Sequence, residues 1–360
     1  MMKKLLSIII CISPWTSLIS DNHPKKRLFD REEIAAKILG REDRKYGDHS
    51  GNRVLCRFYN QGSIGDQSSS FSGVYPLGSG HSYIWEFSPV ISASVLDTSG
   101  NRKRIVSDGL RGLVDSSPEG TPWSFEPLAG YANPNQENLA MSDNSSTWPS
   151  TWPNKDEDWD GEWNGQYGKY VRADQESYFV MDDYYNSEYE FWPDLNDVPE
   201  SSTESPDDHR RGLGINLEVR GYQWNHPAAE DIIIVTYWIT NIGSSTLDSV
   251  VFGMYGDADV GGPSSFSDDD AWFDTENDMV YQWDHDNWST SYGGFRPAYF
   301  GWSFLESPGN PHDGIDNDGD GMIDESQFDG IDNDGDWDCL LYTSDAADEG
   351  LGVDLGGRRI

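Results

Sequence analysis

The sequence predicts an all-β protein, and three observations lead to this fold class. The chain of 360 residues is rich in aromatic side chains, with 15 Trp, 18 Tyr and 14 Phe, and it contains 37 Gly. Short apolar runs alternate with clusters of turn-forming residues, which is typical of strands joined by turns. One run, IIIVTYWIT at 232–240, is apolar on both of its faces. Because such a strand lies inside a covered sheet, we expect a β-sandwich, either one large or two smaller.

The first 20 residues are predicted to be a secretory signal peptide. Lys3 and Lys4 precede the apolar run Leu5–Ile12, and Pro14 follows it. The run is too short to span a membrane as a helix. We therefore expect a secreted or outer cell-surface protein. Residues 21–50 form an N-terminal segment, in which the capping pattern predicts a short helix at 31–39.

Residues 51–305 form the predicted β-sandwich region. Its clearest strand pair is Asp231–Thr240 with Ser249–Asp257, joined by the turn sequence NIGSSTLD. The stretch 193–209, rich in Asp, Glu, Ser and Pro, is predicted to be a solvated loop, or a boundary if the region holds two domains. The other predicted strands are Arg53–Tyr59, Tyr83–Phe87, Ile91–Leu96, Ser177–Met181, Gly214–Arg220, Met279–Trp283 and Ala298–Leu305.

Residues 306–338 contain a predicted pair of calcium-binding loops. The string DGIDNDGD occurs at 313–320 and again at 329–336. In the first copy, Asp316, Asp318 and Asp320 stand at positions 1, 3 and 5 of an EF-hand-type loop. Met322 offers its backbone carbonyl at position 7, and Asp324 stands at position 9. Side chains two residues apart on a tightly curled loop can converge on one hard cation, so these residues predict a Ca²⁺ site.

Both copies depart from the full loop pattern. In the first, Gln327 replaces the bidentate Glu expected at position 12. In the second, Trp337 stands where the turn glycine is expected. Closure of the oxygen shell therefore depends on other groups, and Asp329 is one candidate. The predicted ligands of the second copy are Asp332, Asp334 and Asp336.

The motif DGIDNDGDGMIDE at 313–325 resembles the calcium loops of thrombospondin type 3 repeats and the Asp-rich repeats of secreted bacterial proteins. The resemblance covers 313–338 and implies calcium binding in an exported protein. Gly319 stands where some of those bacterial motifs carry a cysteine. From Cys339 onward, CLLYTSDAADE and then VDLGGRRI resemble a translated sequencing adapter. We therefore leave 339–360 out of the fold prediction, and expect the natural protein to continue beyond Asp338.

A weaker candidate for a calcium loop lies inside the β region. Asp156, Asp158 and Asp160, followed by Gly161, repeat the D-x-D-x-D-G spacing. Position 12 of this loop is Tyr167, so it lacks a closing acid. The alternative is a plain acidic surface loop.

A further acidic group is a candidate cation site at a strand end. Asp257 and Asp259 stand at the end of a predicted strand, and Asp268–Asp270 lie in the loop beyond it. Carboxylates at strand ends are more often simply solvated, so this site competes with an acidic surface.

Four tryptophans cluster around the weaker loop, and two of them belong to the repeat WPSTWP. Exposed on one face, they would form a platform for stacking sugar rings. If they are buried, they would pack in the core or at a hinge. This is the commoner role of tryptophan and the one favoured here. The four are Trp148, Trp152, Trp159 and Trp163.

Composition excludes several classes of function. The net charge of −38 disfavours binding of nucleic acid or anionic lipid, and it favours cations. Cys56 is the one cysteine left after the signal peptide and the adapter-like segment are removed, so no disulfide framework is expected in this part of the chain. No nucleophile elbow, zinc spacing or phosphate-binding glycine loop occurs, and we name no catalytic residues.

These observations predict a secreted or cell-surface, calcium-binding structural or adhesive β-protein, with Ca²⁺ as its ligand and an extracellular glycan or surface protein as a further partner. The alternative is the carbohydrate-binding front module of an enzyme that degrades extracellular polysaccharide. Exposure of the four tryptophans separates the two, because stacking on sugars needs open ring faces.

Overall fold

The computed structural model describes residues 5–13, 44–66, 69, 71–97, 99–110, 116, 123–199, 209–275 and 277–306. Within these ranges the protein is built from strands, so the all-β prediction is confirmed. The helices described are single 3-10 turns at Ser145–Thr147, Glu157–Trp159, Phe266–Asp268 and Ser291–Gly293. None of the described helices has the length and apolar character needed to cross a membrane. The predicted helix at 31–39, the loops at 313–338 and residues 339–360 lie outside the described residues.

The strands of the described part are numbered in chain order. They are β1 Leu5–Ser13, β2 Tyr46–His49, β3 Cys56–Tyr59, β4 Ile84–Leu96, β5 Arg102–Asp108, β6 Glu126–Pro127, β7 Ala140–Met141, β8 Gln175–Asp182, β9 Ile215–Gln223, β10 Ile232–Asn241, β11 Asp248–Ala258, β12 Asp269–Asp274, β13 Met279–Asp284 and β14 Tyr299–Glu306.

Nine of these strands form one sheet, in the order β12-β13-β14-β1-β10-β9-β8-β6, with β7 also paired to β8. Strand β1 pairs in parallel with β10 and β14, and the other neighbours are antiparallel. A second sheet has the order β11-β4-β5, and β2 pairs with β3. Strand β12 is therefore an edge strand of the large sheet.

Side chains from the large sheet and the three-stranded sheet share the main hydrophobic core. Val219 of β9 and Tyr237 of β10 belong to the same buried cluster as Phe87 and Ile91 of β4. Phe300 of β14 is fully buried, and its ring centroid lies 5.2 Å from that of Phe87. This contact fixes β14 on the core, and β13 and β12 continue the sheet outward from it.

The predicted pairing of Asp231–Thr240 with Ser249–Asp257 is wrong. Both segments are strands, but β10 pairs with β9 and β1, whereas β11 pairs with β4 in the other sheet. The connecting segment is bonded to neighbouring loops: the N–H groups of Ser244 and Ser245 donate to the carbonyl of Pro193 at 2.9 and 3.0 Å. The turn residues therefore carry the chain from one sheet to the other.

Two predicted strands, Tyr83–Phe87 and Ile91–Leu96, form the single strand β4. The strand continues through Pro89, which has no N–H to donate. Pairing of β4 with β5 begins only at Val90, so the missing donor faces no partner strand on that side.

Strand β1 covers the apolar run of the predicted signal peptide. Its backbone pairs with β10 from Ser7 opposite Ile232 to Ser13 opposite Trp238. The structure thus places residues 5–13 inside the large sheet. An apolar run of this length suits both a signal-peptide core and a parallel strand inside a sheet. Export therefore stays a prediction.

His49 is a buried titratable group in the main body of the fold. The side chain is 3% exposed, and its Nε2 lies 3.1 Å from Oγ of Ser177. Its Nδ1 is buried without a hydrogen-bond partner. Burial lowers the pKa of His49 from 6.5 to about 3, so the imidazole is neutral in the folded protein.

This burial predicts a specific sensitivity to acid. Below about pH 6.5 the unfolded chain binds a proton at His49 and the folded chain does not. The contribution of His49 to the free energy of unfolding is therefore fully present above that pH, and it is lost as the pH falls towards 3. The loss is about 1.4 kcal/mol per pH unit. Compared with the parent, His49→Asn should become relatively more stable by about 2 kcal/mol between pH 6.5 and pH 5, measured by urea unfolding in the presence of a chelator. A free-energy difference that stays constant over this range would contradict the assignment.

Candidate metal centre

Three aspartates converge where β12 begins and β13 ends. One carboxylate oxygen from each of Asp268, Asp284 and Asp286 lies within 4.8 Å of the others. Asp268 closes the 3-10 turn that precedes β12, Asp284 is the last residue of β13, and Asp286 follows in the next turn. Within the described residues, this is the one group of acidic or metal-binding side chains that meets such a distance.

The register of β12 on β13 places a fourth carboxylate beside this group. Asp269 lies directly opposite Asp284 in the antiparallel ladder. Like charges at opposed positions destabilise a strand pair. One oxygen of Asp269 accepts a hydrogen bond from the N–H of Val260 at 2.8 Å, but its Oδ1 is buried without a partner. A buried carboxylate oxygen of this kind is costly unless a cation binds it or a proton neutralises it.

Asp284 and Asp286 are held together by one shared donor. The N–H of Trp288 points at Oδ1 of Asp284 at 2.7 Å and at Oδ1 of Asp286 at 2.8 Å. Asp284 is 2% exposed, and its Oδ2 accepts a further hydrogen bond from Oγ of Ser265 at 3.0 Å. Asn287 takes a left-handed conformation (φ 61°), which allows the chain to turn tightly between Asp286 and Trp288. The two carboxylates are therefore preorganised without losing all their free lone pairs.

The turn after β11 brings Asp259 to the edge of the same group. Gly261 and Gly262 have φ of 90° and 87°, and the N–H of Gly262 donates to the carbonyl of Asp259 at 2.9 Å. A side chain at either position would be strained, so the tight turn depends on both glycines. This turn also carries Val260, whose N–H holds Asp269.

Burial and neighbouring negative charges raise the pKa values of several carboxyl groups at the site. Burial, and then the charges of Asp284, Asp259 and Asp268, raise the pKa of Asp269 to about 7. Burial and the neighbouring Asp257 raise the pKa of Asp259 to about 6. Burial also raises the pKa of Asp284. Among the described residues, no Lys or Arg forms an ion pair with Asp268, Asp269, Asp284 or Asp286.

The structure brings together part of the predicted strand-end group. Asp268 belongs to the convergent group, Asp269 lies opposite Asp284, and the charge of Asp259 acts on Asp269. Asp270 points to the opposite face of β12, where its Oδ2 lies 2.6 Å from Nδ1 of His285. Asp257 stays within β11, and burial raises its pKa.

Asp284 and Asp286 were missed by the sequence analysis. Their D-x-D spacing directly after a predicted strand was the available signal. It was weaker than the glycine-bearing loops because it offers only two acids and no turn glycine.

The structure does not bring the carboxylates of the weaker loop, Asp156, Asp158 and Asp160, together within 4.8 Å of one another. The segment winds into a 3-10 turn at Glu157–Trp159, so the three carboxylates do not curl around one point, and all three are exposed. Nζ of Lys169 lies 3.6 Å from the carboxylate of Asp158 and also donates to its backbone carbonyl. Lys169 therefore compensates part of the negative charge of this loop.

The four clustered tryptophans do not form an open platform. Trp152 and Trp163 are buried, and their rings pack edge to face at 5.8 Å. Trp148 and Trp159 are partly buried against the same cluster. The indole N–H groups are satisfied internally: Trp152 donates to the carbonyl of Glu162 and Trp163 to the carboxylate of Glu176. Stacking of glycan on this cluster is therefore not supported, because its ring faces are used for packing.

A serine and a histidine lie within hydrogen-bond distance at one place, but their setting does not suit catalysis. Ser177 and His49 are both buried in an apolar cavity lined by residues such as Phe58, Phe179 and Val235. Nδ1 of His49 has no carboxylate to orient the ring. With its pKa lowered to about 3, the imidazole is a very weak base.

Comparison with known proteins identifies no relative. The chain matches no protein-family model, no curated protein and no solved structure. Fold and site together define an acidic, all-β protein with a candidate cation site at one edge of its main sheet. Its function is therefore argued from this geometry.

Replacing Asp286 with Asn tests the candidate site directly. In a background where Asp316, Asp318 and Asp320 are Asn, Asp286→Asn should raise the unfolding midpoint in chelator at pH 7.5, since it removes a like charge. The gain should be about 1 kcal/mol, or 2–4 °C. With millimolar calcium, the parent should gain up to about 3 kcal/mol and the variant much less. Differential scanning calorimetry measures both changes.

Asp270→Asn is the matched control, because Asp270 lies on the same strand but points to the opposite face. Its response to calcium should equal that of the parent. An equal calcium response in the parent and in Asp286→Asn would contradict the site.

Proposed function

We propose that the protein is a calcium-binding structural or adhesive β-protein, secreted or displayed on the cell surface. The observation that carries the proposal is the convergence of Asp268, Asp284 and Asp286, beside the unpartnered buried oxygen of Asp269. Carboxylates in this arrangement repel one another unless a cation lies between them.

The chemistry of the donors favours Ca²⁺ over other cations. Every candidate ligand is an oxygen, which suits a hard cation and disfavours zinc. The nearby His285 pairs with Asp270 on the other face of the strand, so no imidazole joins the group. Calcium accepts irregular sets of carboxylate and carbonyl oxygens, whereas magnesium demands a near-ideal octahedron. The donors come from three separate turns, which fits the more tolerant ion.

A bound cation would stabilise the fold by linking strands of the two sheets. Asp259 follows β11, Asp268 precedes β12, and Asp284 ends β13. Strand β11 belongs to the three-stranded sheet and β12 and β13 to the large sheet. One ion would thus join the two sheets at the exposed end of the fold. A β-sandwich architecture belongs to the same proposal, and the core shared by the two sheets supports it.

The predicted loops at 313–338 would add a second set of calcium sites after the β region. Calcium outside cells is millimolar, so loops with an incomplete shell can still be filled there. The net charge of −38 would draw cations to both sets of sites. Calcium at these loops would stiffen the connection from the β region to whatever follows it.

Isothermal titration with CaCl₂ tests the proposed function. The 1–338 chain should bind calcium at two separable sets of sites, one lost in Asp284→Asn with Asp286→Asn, and the other in Asp316→Asn with Asp318→Asn and Asp320→Asn. Each variant should keep the heat of the other set. Absence of calcium binding to the parent at millimolar concentration would overturn the proposal.

A further inference from the structure

The outer face of β12, β13 and β14 carries a group of aromatic rings on the side of the sheet away from the main core. Strand residues alternate between faces, and Phe300 and Trp302 of β14 point towards that core. Tyr299 and Gly301, which alternate with them along the strand, therefore point outward, together with their cross-strand neighbours. We call the following four residues the ring face: Trp272, Tyr281, Trp283 and Tyr299.

The ring face is a continuous aromatic surface. The rings of Trp283 and Tyr299 are nearly parallel, with an interplanar angle of 25° and centroids 5.8 Å apart. Tyr281 lies 5.5 Å from Trp283 and 6.0 Å from Tyr299. Trp272 lies opposite Tyr281 in the ladder and is 63% exposed. Trp272 thus extends the group of three contacting rings into solvent, and a contiguous exposed apolar surface is a candidate binding surface.

A glycine leaves one side of the ring face open. Gly301 lies opposite Tyr281 on β14. A Cβ at this position would lie 3.2 Å from Cβ of Tyr281 and 3.1 Å from the carbonyl oxygen of Val280, so a side chain here would press on the tyrosine. Because Gly301 has no side chain, the surface beside the ring of Tyr281 stays open.

Carboxylates flank the exposed tryptophan along β12. Asp270 and Asp274 lie two residues to either side of Trp272 and therefore on the same face. Nδ2 of Asn277 donates to Oδ2 of Asp274 at 2.9 Å, which adds an amide to the rim. Flat aromatic rings beside acceptors of hydroxyl hydrogens suit a ligand with apolar C–H faces and equatorial hydroxyls. That chemistry is that of a sugar chain.

The charge of the ring face and of the whole chain limits which ligands can bind to this face. The positions of β12–β14 on this face include no Lys or Arg, and the chain carries a net charge of −38. Nucleic acid, anionic lipid and sulfated or uronate-rich glycans would be repelled. An uncharged polysaccharide would not.

A second copy of the chain is a poorer occupant of this region. Edge strands can pair with another copy, but three of the six residues of β12 are aspartates: Asp269, Asp270 and Asp274. Antiparallel pairing of two β12 strands would oppose like charges, which is how natural sheets discourage pairing at their edges. The aromatic face remains available to a flat, neutral chain of sugars.

We propose that the ring face binds an uncharged β-1,4-linked polysaccharide. Trp272 and Tyr281 stack on successive sugar rings, and Asp270 and Asp274 accept hydrogen bonds from hydroxyl groups. This site uses the opposite face of β12 and β13 from the candidate metal centre. It therefore goes beyond the proposed function, and its binding needs no calcium.

Affinity gel electrophoresis of the 1–338 chain tests the proposal, with hydroxyethyl cellulose and soluble xylan as neutral probes and alginate as the anionic probe. The parent should be retarded by a neutral polymer and not by alginate. Trp272→Ala should weaken binding at least tenfold. Trp85→Ala, which removes an exposed tryptophan of β4 in the other sheet, should bind like the parent. Unchanged near-ultraviolet circular dichroism shows that each variant is folded.

Three results would overturn the proposal: no retardation by either neutral polymer, equal binding by the parent and Trp272→Ala, or a preference for alginate. Dimerisation of the parent that Trp272→Ala abolishes would instead assign the face to a second copy. Retardation should persist in chelator and in Asp286→Asn, so failure of the metal site and failure of the sugar site are separate outcomes. A milder variant, Asp274→Asn, should weaken binding several-fold without removing the stacking surface.

Discussion

The antiparallel register of β12 on β13 is the constraint on which both candidate sites depend. It sets Asp269 opposite Asp284 on one face and Trp272 opposite Tyr281 on the other. Because successive side chains alternate between the faces of a strand, a shift by one residue would move the acids to the outer face and the rings inward. The register is held from outside the strand pair. Phe300 anchors β14 in the core, β14 pairs with β13, and the N–H of Val260 fixes Asp269.

Because the chain is acidic, this register brings carboxylates together without a cationic side chain beside them. Many acidic side chains of the described residues are exposed to solvent, whereas Asp284 is buried and Asp269 has a buried oxygen without a donor. Elsewhere in the fold, arginine satisfies buried acids: Arg210 makes two hydrogen bonds to Asp182, at 2.7 and 3.1 Å. At the start of β12, no Lys or Arg of the described residues takes that role. We propose that a cation from solution supplies the compensating charge, and the all-oxygen set of donors would suit calcium.

The fold class and most strands of the β region could be predicted from the sequence, because apolar runs and turn residues are local signals. The sheet to which each strand belongs could not be predicted from the sequence. The segment after β10 has good turn residues, yet its contacts with Pro193 send β11 to the other sheet. The edge strand β12 was missed because DDAWFD exposes apolar residues on both faces and lacks a clean alternation. The candidate site was half predicted: Asp259, Asp268 and Asp269 are close in sequence, whereas Asp284 reaches them only through the register. The ring face was hidden for the same reason, since its members come from three strands, while the tryptophans that cluster in the sequence pack inside the protein.

Terbium luminescence is the most direct test of the central claim, that the register of β12 and β13 builds a cation site. The backbone N–H of Trp288 contacts both Asp284 and Asp286, so its indole lies close enough to sensitise a bound lanthanide. In the background where Asp316, Asp318 and Asp320 are Asn, excitation of tryptophan should give saturable Tb³⁺ emission that calcium displaces. Asp284→Asn with Asp286→Asn should abolish it, and Asp270→Asn should not. Emission of equal strength in the parent and in the double variant would contradict the account.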